Sequence, residues 1–197
     1  ADLFKMLGDL YSVSQQNDEA EICYQRALEY GYDDPRLRLR LGWTRLTDME
    51  SVRNQFDALL DQKSLTPRQR AEAFNGRGFA RAMLGDDQGA IDDAKSAVAL
   101  TEKMKNLEAW QVLFSGAGIF ALCAEIAEQE RFDSALAERR ASQAIKLLEK
   151  AKQRGLPSTR LIRADRAFVP LLRSKDFQKL LKLKIISSYH LKSLITR

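Results

Sequence analysis

Histidine and cysteine, the side chains most used for nucleophilic and metal chemistry, are few and scattered along this 197-residue chain. His190 is the single histidine and lies in a basic stretch near the C-terminus. That position removes His-based triads and His-rich metal sites from the body of the chain. Cys23 and Cys123 each stand alone, so neither a zinc ligand set nor a disulfide framework can be built from them. They are expected to be small buried hydrophobes in a reducing compartment. Asp86-Asp87 and Asp92-Asp93 lack the alternating oxygen-ligand spacing of a calcium loop. They are expected at a turn and at a helix N-terminus, where the helix dipole favours negative charge. Ser115-Gly116-Ala117-Gly118 has the look of a phosphate loop, but no Gly-Lys-Ser/Thr follows it, and it is expected to lie within a helix. No acid, base and nucleophile converge in the sequence. The expectation is a binding protein that is not an enzyme and has no cofactor, metal or small-molecule substrate.

The elements that would carry a binding surface are helices. The chain is 45% hydrophobic and 30% charged with four prolines, which excludes bulk disorder and a turn-rich β fold. No window holds the roughly 18 uninterrupted apolar residues of a membrane span, and the N-terminus lacks a signal-peptide layout. A soluble, cytoplasmic protein is expected. Gly8, Gly42, Gly78 and Gly118 fall 34, 36 and 40 residues apart, each in a helix-patterned stretch where glycine costs about 1 kcal/mol. A near-constant period of that length marks a repeat protein.

Around the first glycine the chain reads Phe4-x-x-Leu7-Gly8-x-x-Tyr11, then Ala20-x-x-x-Tyr24-x-x-Ala27. This resembles the helix-turn-helix pattern of the tetratricopeptide (TPR) repeat. The resemblance implies an all-α, right-handed α-solenoid of about four TPR repeats with a C-terminal helical cap. The repeats are placed near residues 1–34, 35–66, 67–104 and 106–155. Gly31 is expected to cap the first repeat and Pro35 to open the second. The second is degenerate, with Arg45 where tyrosine is usual and a short turn at Asp48, but Val52, Phe56 and Leu59 keep the packing spacing. The third pairs Ala73, Phe74 and Gly78 with Ala90, Ala94 and Ala97 across a Gly85-Asp86 turn. The fourth matches Phe114, Ala117, Gly118 and Ala121 to Ala144, Leu148, Ala151 and Gly155. An insert near 122–135 carries Glu125, Glu128, Glu130, Arg131 and Asp133, and is expected to form a longer hairpin or a solvated turn. Ala1 falls at the first repeat position, so the chain is expected to be part of a longer protein.

Residues 151–197 hold 12 basic against 2 acidic residues, whereas the first 150 hold 20 against 25, so the basic excess sits at one end. Within the basic cap and tail, 156–197, an apolar stripe of Leu161, Phe168, Leu171, Leu172, Phe177, Leu180 and Leu181 is expected to close the solenoid. The run from Leu161 to Leu171, with Asp176-Phe177 after it, resembles the segment ending the C-terminal TPR region of bacterial, planctomycete-type serine/threonine kinases. That resemblance spans about residues 107–183 and departs at Arg166, Ala167, Leu172 and Lys175. It implies a kinase-associated parent protein. The Gly-rich loop, His-Arg-Asp and Asp-Phe-Gly motifs of a kinase domain are absent from the chain itself.

In TPR proteins the first helix of each repeat lines a concave groove, and the resemblance places Asp2, Lys5, Asp9 and Ser12 there from the first repeat. From the second come Arg36, Leu39, Arg40, Trp43 and Leu46, and from the third Asn75, Phe79, Ala82 and Met83. Trp43 and Phe79 would project into the groove beside Arg36 and Arg40 as binding anchors; the alternative is that both fill the inter-helix core. Of the carboxylate clamp that holds chaperone tails only Lys5 is kept, with Asp9, Arg40, Glu72 and Gly76 at the other positions, so such tails are not expected ligands. The expected partner is a protein or peptide. Lys179, Lys182, Lys184 and Lys192 interleave with Leu181, Leu183, Ile185, Ile186 and Tyr189, which raises nucleic acid or an anionic surface as the alternative. The apolar tail 184–197 also raises self-association, through the groove or a second copy.

Overall fold

The computed structural model describes residues 1–44 and 48–182, and all regular structure among them is helical. Arg45 and Leu46, together with His190, Lys184, Lys192 and the rest of the tail from Leu183, lie outside the described residues. The chain divides into two compact units, Ala1–Lys103 and a second that begins at Met104.

The first unit contains α1 (Asp2–Val13), α2 (Asn17–Glu29), α3 (Pro35–Thr44), α4 (Met49–Leu60), α5 (Pro67–Met83) and α6 (Asp87–Leu100). Each helix packs on the next in sequence, and α3 also touches α5, so three hairpins stack as an α-solenoid. The helix ends follow from local chemistry. Asp48 accepts from the Ser51 backbone N–H, Asp86 from that of Gly89, and Thr66 with Gln69 closes a reciprocal capping box in front of Pro67. Gly31 and Gly85, both at φ +83°, end α2 and α5 in the left-handed conformation, Gly31 at the expected cap and Gly85 in the expected turn.

The run Arg36-Leu37-Arg38-Leu39-Arg40-Leu41 alternates as a strand would, yet it is helical because α3 is covered on two sides. Leu37 and Leu41 pack with Ala20, Tyr24 and Ala27 of α2. Leu39 joins Val52, Phe56 and Leu59 of α4 and Ala73 and Ala80 of α5. Large rings on the second helix of a hairpin press on glycines of the neighbouring first helices. A Cβ on Gly8 would stand 2.5 Å from the Tyr24 ring, and one on Gly42 would stand 2.7 Å from Phe56. The ring of Phe56 also presses on Gly76 of α5, two residues before the glycine that continues the period.

The second unit is built on α7 (Asn106–Gln129) and α8 (Ser134–Gln153), which pack along their length. The insert forms the longer hairpin: its residues extend α7 to Gln129, and a short turn leads into α8, capped by Asp133. Glu108–Gln129 is long and apolar enough to cross a bilayer by composition alone, but 56% of that stretch is buried in the unit. Gly118 is a correction to the periodic reading. A Cβ there would meet only Ala167, at 3.8 Å, so this glycine makes no close helix approach.

The cap consists of α9 (Thr159–Ala164), a 3₁₀ segment (Arg166–Arg173) and α10 (Lys175–Leu180). The 3₁₀ segment lies on α7, with Phe168 edge-on to Phe114 at 5.1 Å. Phe168, Leu171, Phe177, Leu180 and Leu181 are buried as the stripe requires, but Leu161 is exposed and Ile162 takes its place inside. The chain turns sharply after α9, so the 3.6-residue period does not carry through.

Candidate protein-interaction face

One face of the first unit collects most of the residues expected to bind a partner. It is formed by α1, α3 and α5. On α3, Arg36, Arg40 and Trp43 follow one another at i, i+4 and i+7 and therefore share a side of the helix. On α5, Phe79 and Met83 do the same.

The α1 end of the face is ionic. Lys5 Nζ donates to Asp9 at 2.7 Å, the Tyr24 hydroxyl donates to the same carboxylate at 3.0 Å, and Arg40 reaches it from the next hairpin. Asp9 therefore joins three helices. Burial raises the Tyr24 hydroxyl above its ordinary pKa, against a smaller lowering by its hydrogen bond with Ser12. Lys5, Asp9 and Arg40 are thus held by one another, while Ser12 and Arg36 stand exposed.

The α3–α5 end is apolar and open. Trp43 lies edge-on to Phe56 at 5.5 Å and tilted against Phe79 at 6.0 Å, yet it remains 40% exposed. Trp43 thus packs against two rings of the stack while part of its side chain stays at the surface. Met83, 51% exposed, extends the patch by one turn, and Leu84 is exposed beside it. Asn75 is a correction: it is 3% exposed and so does not line the surface. Helices α3, α4 and α6 cover most of the circumference of α5, and position 75 falls on the covered side.

An ionic cluster behind this face was missed. Arg77 of α5 grips Asp93 of α6 with two nitrogens, at 2.9 and 2.6 Å, and reaches Asp57 of α4 with a third at 2.7 Å. Arg81 adds a contact to Asp93 at 3.1 Å, and Arg77 lies over the Phe74 ring. Asp93, expected as a helix N-terminal charge, is 3% exposed, and Arg77 between it and Asp57 ties three helices together. The only signal in the sequence was an acid in line with Ala90, Ala94 and Ala97 of the buried ridge. Among the described residues no group of three or more His, Cys, Asp or Glu side chains is arranged to hold a metal.

No protein-family model and no curated protein matches the sequence. Among solved structures, a crystal structure of the MamA protein is similar at 16% identity, covering 80% of this chain and 96% of that chain with a TM-score of 0.43.

Proposed function

We propose that the chain is a non-catalytic scaffold of the tetratricopeptide type that binds a protein segment on the face formed by α1, α3 and α5. The observation that carries this reading is the exposure of Trp43 and Met83 on either side of Phe79. A large aromatic held in one orientation by two neighbouring rings, yet open to solvent, is a ready anchor for an apolar side chain. Arg36, one turn beyond the Asp9–Arg40 pair, adds a cation at the rim. The favoured ligand is therefore a segment with one or two large apolar residues and an acidic neighbour. On this reading the resemblance of residues 107–183 to kinase termini makes the chain the recruiting part of a bacterial serine/threonine kinase.

A peptide-array screen with acidic–apolar segments tests the proposal, comparing the native chain with Trp43→Ala and with Met83→Glu. Met83 is a surface residue, so its variant keeps the core intact. Ligands bound at micromolar strength, insensitive to salt and lost in both variants, are the expected result. Binding unchanged in both variants would overturn it. A steep loss of nucleic-acid binding with salt, untouched by either variant, would move the assignment to the basic C-terminal residues.

A further inference from the structure

The second unit contains a groove of about 1260 Å³ that the proposed function does not use. One wall is formed by α8 with the end of α7, including the buried Ala124, Ala137 and Ile145 and the half-buried Ala141. The other is the cap, through Val169, Pro170, Leu172 and Leu180. This volume exceeds the roughly 300–1,000 Å³ of small-molecule sites and suits a peptide. Charge varies along it. Lys152, Arg173 and Lys179 line the end near α10 together with Glu149 and Asp176, Lys146 lies between, and Glu125, Glu128 and Glu138 make the end where α7 finishes acidic. The carbonyls of the α7 C-terminus add to the negative potential there.

The chain itself delivers a segment to the α10 end. Helix α10 is fixed beside α8, with Lys152 Nζ donating to the Leu180 carbonyl at 3.5 Å and Arg163 Nη2 to that of Leu181 at 2.5 Å. Lys182 then takes a positive φ of 53°, which turns the chain out of the helix. Residues 183–197 follow, carrying Lys184, Lys192 and Arg197 and no acid. Wound as a helix they would span about 22 Å, and α8 from Lys152 back to Glu138 spans about 21 Å. At 100° per residue Leu183, Ile186, Leu191 and Leu194 share one broad side, with Lys184 and Lys192 away from its centre. Such a segment, starting at α10 and running along α8, brings its apolar side to Ile145, Ala141 and Ala137. Its last cations then reach Glu138, Glu128 and Glu125.

We infer that residues 183–197 dock in this groove of their own chain as an amphipathic segment. Among the described residues the core of the cap runs to Leu181, so a chain ending at Lys182 keeps every core residue described for it. A synthetic peptide of residues 183–197 should bind a chain ending at Lys182 with micromolar affinity. It should bind the full chain at least about tenfold more weakly, because the tethered copy competes at millimolar effective concentration. Ala141→Arg in the shortened chain should abolish binding. Absence of binding to the shortened chain, equal binding to both forms or binding that survives Ala141→Arg would overturn the inference. On the full, unaltered chain, carbodiimide should join Lys192 to Glu125, Glu128 or Glu138 within a monomer. No such link, or a link found only between two copies, also overturns it.

Discussion

The ring of Phe56 lies so close to Gly76 that a methyl group on residue 76 would overlap it, and the same ring presses on Gly42 from the other side. One aromatic residue of α4 thus sets the approach of α3 and of α5. Glycine inside a helix costs about 1 kcal/mol relative to alanine, so Gly→Ala stabilises wherever space allows. Gly118→Ala should therefore raise the melting temperature slightly. Gly76→Ala and Gly8→Ala should lower stability by about 1–3 kcal/mol through overpacking of aromatic carbons. Denaturant melts of the three variants check this, and a stabilised Gly76→Ala would refute the close approach.

Equal residues at equal repeat positions differ in consequence. Leu3 and Leu37 are 34 residues apart and share a register, but Leu37 is wholly buried against α2 while Leu3 is 66% exposed, because α1 has no preceding hairpin among the described residues. Leu37→Ala should cost about 2–5 kcal/mol. Leu3→Ala should stay within about 0.5 kcal/mol. Urea titrations of both variants give the comparison.

This pair also marks how far the sequence could be read. The helices, the left-handed ends at Gly31 and Gly85 and the buried ridge of Ala90, Ala94 and Ala97 follow from local period and turn chemistry, and the structure carries all of them. What stayed hidden depends on which helix lies opposite. The role of Gly76 requires knowing that Phe56 arrives from α4, and the role of Asp93 requires Arg77 facing it across α5 and α6. The candidate face was legible in part for the same reason. Repeat register selected Trp43, Phe79 and Met83, but it could not reveal that Lys5 and Arg40 share the Asp9 carboxylate or that Asn75 is enclosed.

Asp93 provides a third test. Its carboxylate is 3% exposed and receives three guanidinium contacts, and the Arg77 guanidinium is held above its usual pKa first by this hydrogen bonding. Arg77 would keep Asp57 when the Asp93 charge is removed, so the loss is that of charged hydrogen bonds, about 1.5–3 kcal/mol. Asp93→Asn should fall near that range, whereas Asp92→Asn, one residue earlier and exposed, should change little. If both variants melt with the native protein, the cluster contributes nothing to the stack.

The Tyr24 hydroxyl offers a pH-dependent test of the α1–α3 junction. Its side chain is wholly buried, its hydroxyl donates to Asp9, and burial holds its pKa above the ordinary value of about 10. A group whose folded pKa is raised keeps its proton longer when folded than when unfolded. Its contribution to stability is therefore complete below pH about 10 and is lost as pH rises from there through the folded pKa. Tyr24→Phe keeps the ring against Gly8 but removes both the proton and the donor to a charged acceptor. It should cost about 1.5–3 kcal/mol at neutral pH. The variant should also lose the part of the alkaline destabilisation that Tyr24 causes, so the two stability curves converge above pH about 10. Stability measured against pH for both proteins, with phenolate absorbance followed in the native one, decides the matter: parallel curves would mean that Tyr24 titrates as it does in the unfolded chain.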